Sequence, residues 1–307
     1  MTGAKTSSSR VLVIGGTGKL GQKIVRELVG TGRAQVRVAH RPGANSDVLE
    51  ALRATEAELV AAELADPASL ARACQGVDVI VSALQGMRDV IVDGQTSWLR
   101  AAEQAGVARM IPSDYSLDFF KTDDGQNRNL DFRRELNRVL DQSRVRGTSL
   151  LCGAFMDLLA YGAMGPDHKT GVFRVWGDVE QPWDFTLTDD LAKYVALVAL
   201  DPEAPRVVRV AGDTKSPREL GAIFEELRGL SVKLEPLGSL ELLGQTIDKL
   251  RAEDPAETNP FPLWQRLQYA RDVQSGRGQL SPLDNGRYPS VRPVSIRECL
   301  SRAAAKG

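Results

Sequence analysis

Through the first half of the chain, short β-branched apolar runs alternate with longer stretches in which apolar residues recur every three or four positions. Val11 to Ile14 is unbroken apolar sequence that meets glycine at once, the pattern of a buried strand entering a tight turn. Leu20, Ile24, Val25 and Leu28 then share one helical face, and Gly30 and Gly32 close the segment. Val36 and Val38, spaced by Arg37, predict a second strand. Asp66 and Pro67 have the chemistry of a cap and a first helical position. Val77 to Val81, Ala108 to Ile111 and Thr148 to Cys152 predict further strands, the last counted as the sixth. Trp98 to Ala105 reads as the end of one helix and Leu130 to Ser143 as another. Strands separated by helices require crossover connections, so the pattern predicts an α/β fold with a doubly wound parallel sheet.

The period breaks after Cys152. Strand-like pieces (Val172 to Trp176, Val207 to Val210) mix with helices at Asp189 to Leu200, Pro217 to Arg228, Leu240 to Ala252 (capped by Ser239) and Phe261 to Val273. This predicts a smaller C-terminal α+β lobe. The division expected is a flexible N-terminus over residues 1–10, a nucleotide-binding domain over 11–155, and a mostly substrate-binding lobe over 156–307 with some segments returning to the sheet.

Composition narrows the function classes. Of 307 residues, 42% are apolar and 26% charged, with a formal net charge of −1, so nothing suggests a nucleic-acid arm or a polybasic membrane anchor. Three separated cysteines and two histidines, His40 and His168, offer neither a disulfide framework nor a dedicated metal site. The opening MTGAKTSSSR has no apolar core of a signal peptide, and the apolar stretch Tyr194 to Leu200 falls far short of the ~20 residues that span a bilayer. The expectation is a soluble, cytoplasmic protein with a small-molecule substrate and neither nucleic-acid nor membrane partners.

The candidate chemistry begins at Gly15-Gly16-Thr17-Gly18-Lys19-Leu20-Gly21, between the first strand and the first helix. Gly15 permits the tight turn, Gly18 lets backbone approach a pyrophosphate, and Gly21 lets helix lie close to strand. Gly15, Thr17, Gly18, Lys19, Leu20 and Gly21 are therefore the expected cofactor contacts, with the helix N-terminus facing the phosphates. NAD-selective sites carry a carboxylate near the end of the second strand. Here Val38-Ala39 runs into His40-Arg41-Pro42, and no carboxylate precedes Asp47. Arg41 suits the 2′-phosphate that distinguishes NADP(H), the expected cofactor.

With these residues in hand, the chain resembles the NmrA-like branch of the atypical short-chain dehydrogenases, which includes the isoflavone reductase-like enzymes. Besides the glycine loop, the resemblance is carried by Ala65-Asp66-Pro67-Ala68-Ser69-Leu70, by Gly76-Val77-Asp78-Val79-Ile80-Val81-Ser82-Ala83, and by Ala105 through Met110-Ile111-Pro112-Ser113-Asp114-Tyr115. Gly153-Ala154-Phe155 and Trp176-Gly177-Asp178 extend it, so that it covers roughly residues 11 to 230. It implies a Rossmann-type domain, NADP(H), a substrate cleft between that domain and the C-terminal lobe, and cofactor contacts from Ser82, Ala83 and Phe155. Phe155 and Met156 are candidates for an apolar wall beside the nicotinamide.

Two departures from the family pattern bear on catalysis. None of the five tyrosines is followed four residues later by lysine, and the position matching the isoflavone reductase-like enzymes' acid–base lysine is Arg133. Arginine keeps its proton, so Arg133 is expected to hold a carbonyl, phenolate or carboxylate and to stabilise negative charge there. Its alternative is a solvated cation on a helix shared with Arg134 and Arg138. Tyr115, just beyond the fifth strand, is the second catalytic candidate. Asp118 and Lys121 follow it in a mobile-looking stretch running through Thr122-Asp123-Asp124-Gly125-Gln126-Asn127, while Asn129 and Asn137 fall at helical spacing about Arg133. His168 is expected at the surface. The function expected is an NADPH-dependent reductase of a small, partly apolar compound of aromatic, enone or quinone-like type. The alternative is a non-catalytic NADP(H)-sensing regulator of the NmrA type that binds a protein partner. No Gly-x-Ser-x-Gly elbow supports a hydrolase.

Overall fold

A computed structural model describes residues 8–304. Its first elements are β1 (Ser9–Ile14), α1 (Lys19–Gly30), β2 (Ala34–His40), α2 (Ser46–Arg53), β3 (Glu58–Ala61), α3 (Pro67–Cys74), β4 (Val79–Ser82), α4 (Gln95–Ala105), β5 (Arg109–Ile111), α5 (Arg128–Asp141) and β6 (Arg146–Gly147). There follow β7 (Ser149–Leu151), β8 (Ala154–Phe155), α6 (Asp157–Ala160), β9 (Val172–Trp176), β10 (Trp183–Thr186), α7 (Thr188–Leu200), β11 (Val207–Arg209), β12 (Asp213–Lys215), α8 (Pro217–Arg228), β13 (Lys233–Gly238), α9 (Leu240–Glu253), α10 (Leu263–Gln274) and α11 (Ile296–Ala304).

Strands β1 to β6 form one parallel sheet in the order β3-β2-β1-β4-β5-β6. This is the Rossmann order, with a topological switch where the chain leaves β1 for β2 on one side and β4 lies on the other. The apolar runs explain the arrangement. Val11, Leu12 and Val13 are wholly buried, and α1 turns Gly21, Ile24, Val25 and Leu28 inward. Asp66 caps α3 through Ala68 N–H with Pro67 in the first turn, as its sequence predicts.

The chain divides into two compact units. The first holds the described residues through Asp114, then Glu135–Leu150 and Ala192–Val208; the second holds Tyr115–Arg134, Leu151–Leu191 and the described residues from Arg209 onward. Leu12, Ile14, Ile80, Trp98, Leu99 and Met110 centre the first core, and Met156, Phe173, Phe185, Leu220 and Ile296 the second. The sequence pattern sets one boundary at 155 with some later segments returning to the sheet; the units also exchange chain earlier, at Asp114/Tyr115 and at Arg134/Glu135. The returning end of α7 is anchored within the first unit: the buried guanidinium of Arg109 donates to the carbonyls of Val198 (2.9 Å), Ala199 (2.6 Å) and Asp201 (2.6 Å). A cation among carbonyls at a helix C-terminus is favoured by the helix dipole.

Two expectations are corrected. The first strand begins at Ser9, inside the segment expected to be flexible, because Ser9 and Arg10 register with Ala34 and Gln35 of β2; residues 1–7 of that segment lie outside the described residues. The sixth strand of the sheet is Arg146–Gly147, not Thr148 to Cys152. Thr148 N–H still donates to Met110 O, but Ser149 N–H turns to Arg206 O, so the apolar run belongs to β7, which pairs with β11. The run shows that the segment is extended and buried, but not which neighbour receives its amides. The third strand, Glu58–Ala61, is a half-exposed edge of four residues, too short for a pattern to stand out. Among the described residues no helix is long and apolar enough to cross a membrane.

Candidate functional site

The loop joining β1 to α1 is squeezed from two sides. Gly15 has φ +76°, and a Cβ there would stand 2.8 Å from the carbonyl carbon and oxygen of Ala83, just past β4. A Cβ on Gly16 would stand 2.6 Å from Cγ1 of Val38 on β2. Gly18 N–H donates to Gly15 O at 3.1 Å, closing the turn, and Ala83 N–H donates to Ile14 O at 2.8 Å. Ser82 is fully buried in register with Ile14. The loop therefore sits at the carboxyl ends of β1 and β4, where the strand order reverses and α/β sheets bind ligands.

The first helix offers an open N-terminus. Gly18 is its cap residue, with no side-chain hydrogen bond and no acidic residue in the first turn. Helices α2, α3, α8 and α9 are by contrast capped by the side chains of Asn45, Asp66, Ser216 and Ser239. Gly18 and Lys19 are exposed, Thr17 and Leu20 half-buried, and Thr17 O is held at 3.0 Å by Nε2 of Gln22. A Cβ on Gly18 would meet only Gly15 O, at 3.3 Å, so the helix mouth is unobstructed. Amides with no internal acceptor, a positive dipole end and no competing carboxylate fit an anionic diphosphate. Arg41 is exposed, the first residue beyond β2, and its carbonyl accepts from Ala44 N–H at 3.2 Å in a turn.

The remaining candidates lie in the second unit. Arg133 is half-buried on α5, with Nη1 donating to Asn129 O one turn back at 2.8 Å. Tyr115 is buried; Phe155 is half-buried in β8, which runs parallel to β10. Met156, proposed from sequence as wall, is wholly buried in the second core.

The stretch after Tyr115 is not mobile in character but densely tied. Asp118 is fully buried, its Oδ2 taking Nε of Arg209 at 2.6 Å and lying 3.4 Å from Nζ of Lys121. Lys121 Nζ also donates to the carbonyls of Gln279 (3.0 Å) and Ser281 (2.8 Å). Arg134, expected on a solvated face, is buried: it donates to Phe119 O at 2.9 Å and Thr122 O at 3.1 Å, and pairs with Asp131 at 2.6 Å and Asp124 at 3.2 Å. Arg277 pairs with Asp123, and Asn127 donates to Asp272 at 2.8 Å. Asp118 and Lys121 are thus held by ion pairs and carbonyls, and a sequence that reads as solvated polarity is folded around the buried guanidinium of Arg134. Asn129 donates to Pro260 O and Asn137 to Asp114, each at 2.8 Å, so neither is reserved for Arg133's face. His168 is half-buried, its ring 5.3 Å from that of Phe224. Gln95 was passed over in the sequence because a glutamine in a helix carries no signal by itself. It is fully buried and accepts from Ser113 N–H at 3.2 Å, bracing the loop after β5.

Comparison with known proteins places this geometry. A model of the NmrA-like family matches residues 7–286. An isoflavone reductase homolog from Zea mays is 28% identical over 316 residues, covering 97% of this chain and 99% of the relative. A bifunctional pinoresinol-lariciresinol reductase from Linum corymbulosum is 25% identical over 321 residues, covering 98% and 99%. Among solved structures, the binary complex of leucoanthocyanidin reductase with NADPH from Vitis vinifera aligns with a TM-score of 0.79 at 18% identity, over 97% of this chain and 100% of that one. At that identity the match shows a common fold.

Proposed function

The chain belongs to the NmrA-like family, and on that premise we propose that it is an NADPH-dependent reductase of a small, partly apolar compound of aromatic, enone or quinone-like type. The observation that carries this reading is the glycine-capped N-terminus of α1, open at the switch point between β1 and β4. Its amides suit the diphosphate, and Arg41 suits the 2′-phosphate that a carboxylate at this position would repel. The names of the relatives, an isoflavone reductase homolog and a pinoresinol-lariciresinol reductase, favour an aromatic substrate.

A nicotinamide dinucleotide, when bound, would supply a hydride. Gly15, Thr17, Gly18, Lys19, Leu20 and Gly21, with Ser82 and Ala83, hold and orient the dinucleotide; Phe155 lends an apolar surface. A guanidinium suits charge stabilisation, so the part proposed for Arg133 is electrostatic, stabilising negative charge on a substrate oxygen. Tyr115, whose phenol can donate, is the candidate proton source.

The test is direct. Dissociation constants for NADPH and NADH are measured for the native protein and Arg41→Ala, and NADPH oxidation is followed with a panel of aromatic enones, quinones and carbonyls. The reading expects micromolar or tighter NADPH binding, loss of preference over NADH in the variant, and turnover with at least one compound class. An Arg41→Ala protein with the native NADPH constant removes Arg41 from the site. Arg133 at the family's lysine position favours a second reading, a non-catalytic NADP(H) sensor with a protein partner. Tight binding of one oxidation state without turnover of any panel member would select it.

A further inference from the structure

Asp114 is fully buried at the end of the Pro112-Ser113-Asp114 turn that follows β5. One of its oxygens, Oδ2, accepts two hydrogen bonds: from Nδ2 of Asn137 at 2.8 Å and from Oγ of Ser149 at 2.7 Å. Both donors are themselves buried. Behind them stands Arg206, whose Nη2 donates to Oδ1 of Asn137 at 2.5 Å and whose Nη1 donates to Oγ of Ser149 at 2.9 Å. Its third nitrogen, Nε, donates at 2.8 Å to the exposed carboxylate of Asp141. A carboxylate inside and a guanidinium at the surface are thereby joined by two neutral bridges in parallel, one an amide and one a hydroxyl. Ser149 has a single hydrogen, and the charge and shorter distance of Asp114 direct it there rather than to Asn137 Oδ1 at 3.0 Å. Each bridge is polarised in the same sense, accepting from the cation and donating to the anion, which strengthens both bonds of the chain.

Such an arrangement is costly to bury and has to be satisfied at every member. What it fixes is the turn at the carboxyl edge of β5. Ser113 N–H is pinned from the other side by Gln95, whose own Nε2 donates to Ile91 O at 2.8 Å. In a sheet of this order each half receives one nucleotide of the dinucleotide. Arg41, beyond β2, belongs to the half that takes the adenosine 2′-phosphate; β5 belongs to the other. Resting on the cofactor reading above, we propose that Arg206 is a positioning residue which, through Asn137 and Ser149, holds Asp114 and its turn in the shape that receives the nicotinamide nucleotide. Arg206 touches no ligand in this scheme. It is a third exposed and lines an open recess with Asp141, Arg146 and Thr148, so it can be replaced without opening the core.

The experiment compares titration calorimetry of NADPH with that of 2′,5′-ADP, which carries the adenosine half and the 2′-phosphate but no nicotinamide. Arg206→Met is expected to weaken NADPH about tenfold, the scale of losing charge-assisted hydrogen bonds, while 2′,5′-ADP stays within about twofold of native. Ser149→Ala, which leaves the Asn137 bridge, is expected to give a smaller loss of the same selectivity. Thermal melts identify any variant that fails to fold. If folded Arg206→Met binds both molecules as the native protein does, or loses both equally, the positioning role is overturned. Native protein that binds neither molecule sinks the cofactor reading itself and this proposal with it.

Discussion

A Cβ on Gly21 would stand 2.2 Å from the carbonyl oxygen of Gly15, so the helix can approach the strand only because residue 21 has no side chain. Three residues earlier the situation is reversed, since Gly18 is exposed and faces open space apart from that same oxygen at 3.3 Å. The two glycines therefore separate folding from binding. Gly21→Ala forces backbone apart and is expected to cost about 1–3 kcal/mol in urea denaturation. Gly18→Asp adds a good cap residue at φ −76°, where it is unstrained, and is expected to gain a few tenths of a kcal/mol. Yet its carboxylate occupies the anion site, and NADPH affinity should fall at least about tenfold. Native affinity in Gly18→Asp would place the diphosphate elsewhere.

On the reductase reading, Arg133→Leu removes charge that matters only as negative charge develops on the substrate. The expected loss is about 10²–10³ in kcat/KM, with the NADPH dissociation constant unchanged. A variant whose turnover matched the native enzyme would return Arg133 to the role of a helix cation bonded to Asn129 O.

These contrasts show what the sequence could and could not convey. The glycine loop was legible because its glycines fall at fixed short spacing between a strand and a helix, and the sheet because β-branched runs and helical spacing are local signals. Caps at Asp66 and Ser239 likewise act within three residues. Arg134 and Asp118 were misread because their partners lie far along the chain or in its turns: Asp118 meets Arg209, and Asn127 meets Asp272. A buried charge and a solvated one have the same letter, and only long-range packing distinguishes them. The same limit hid Asp114, whose bonds run to Asn137 and Ser149.

The three cysteines are buried, and burial holds their thiols neutral: Cys74 is pushed up to about 12, with Arg37 opposing weakly, and Cys152 and Cys299 are also raised. A thiol reagent at pH 8 should label none in the native protein and all three after denaturation. Because the unfolded thiols ionise near about 8.5 and the folded ones later, the native state holds more protons above that pH, and stability should fall as pH rises beyond it. Rapid labelling of one thiol under native conditions would contradict the packing around it.

Asp272 carries the last prediction. It is buried on α10, and desolvation raises its carboxyl above the ordinary range, opposed by the hydrogen bond from Asn127 and by the Arg271 and Arg134 guanidinium groups. A folded-state value above the unfolded one means that the native protein binds the extra proton in between. Stability from this group is therefore complete below about pH 4, the unfolded value, and is lost as pH rises through the folded one. Asp272→Asn keeps an oxygen that can accept from Asn127 Nδ2 but cannot ionise, so it removes this loss. Urea midpoints between about pH 4 and pH 7 should fall less steeply in the variant than in the native protein, with the two converging at the acid end. If the variant instead falls further behind the native protein at pH 7 than at pH 4, the ionised carboxylate is favoured by its guanidinium neighbours more than it is penalised by burial.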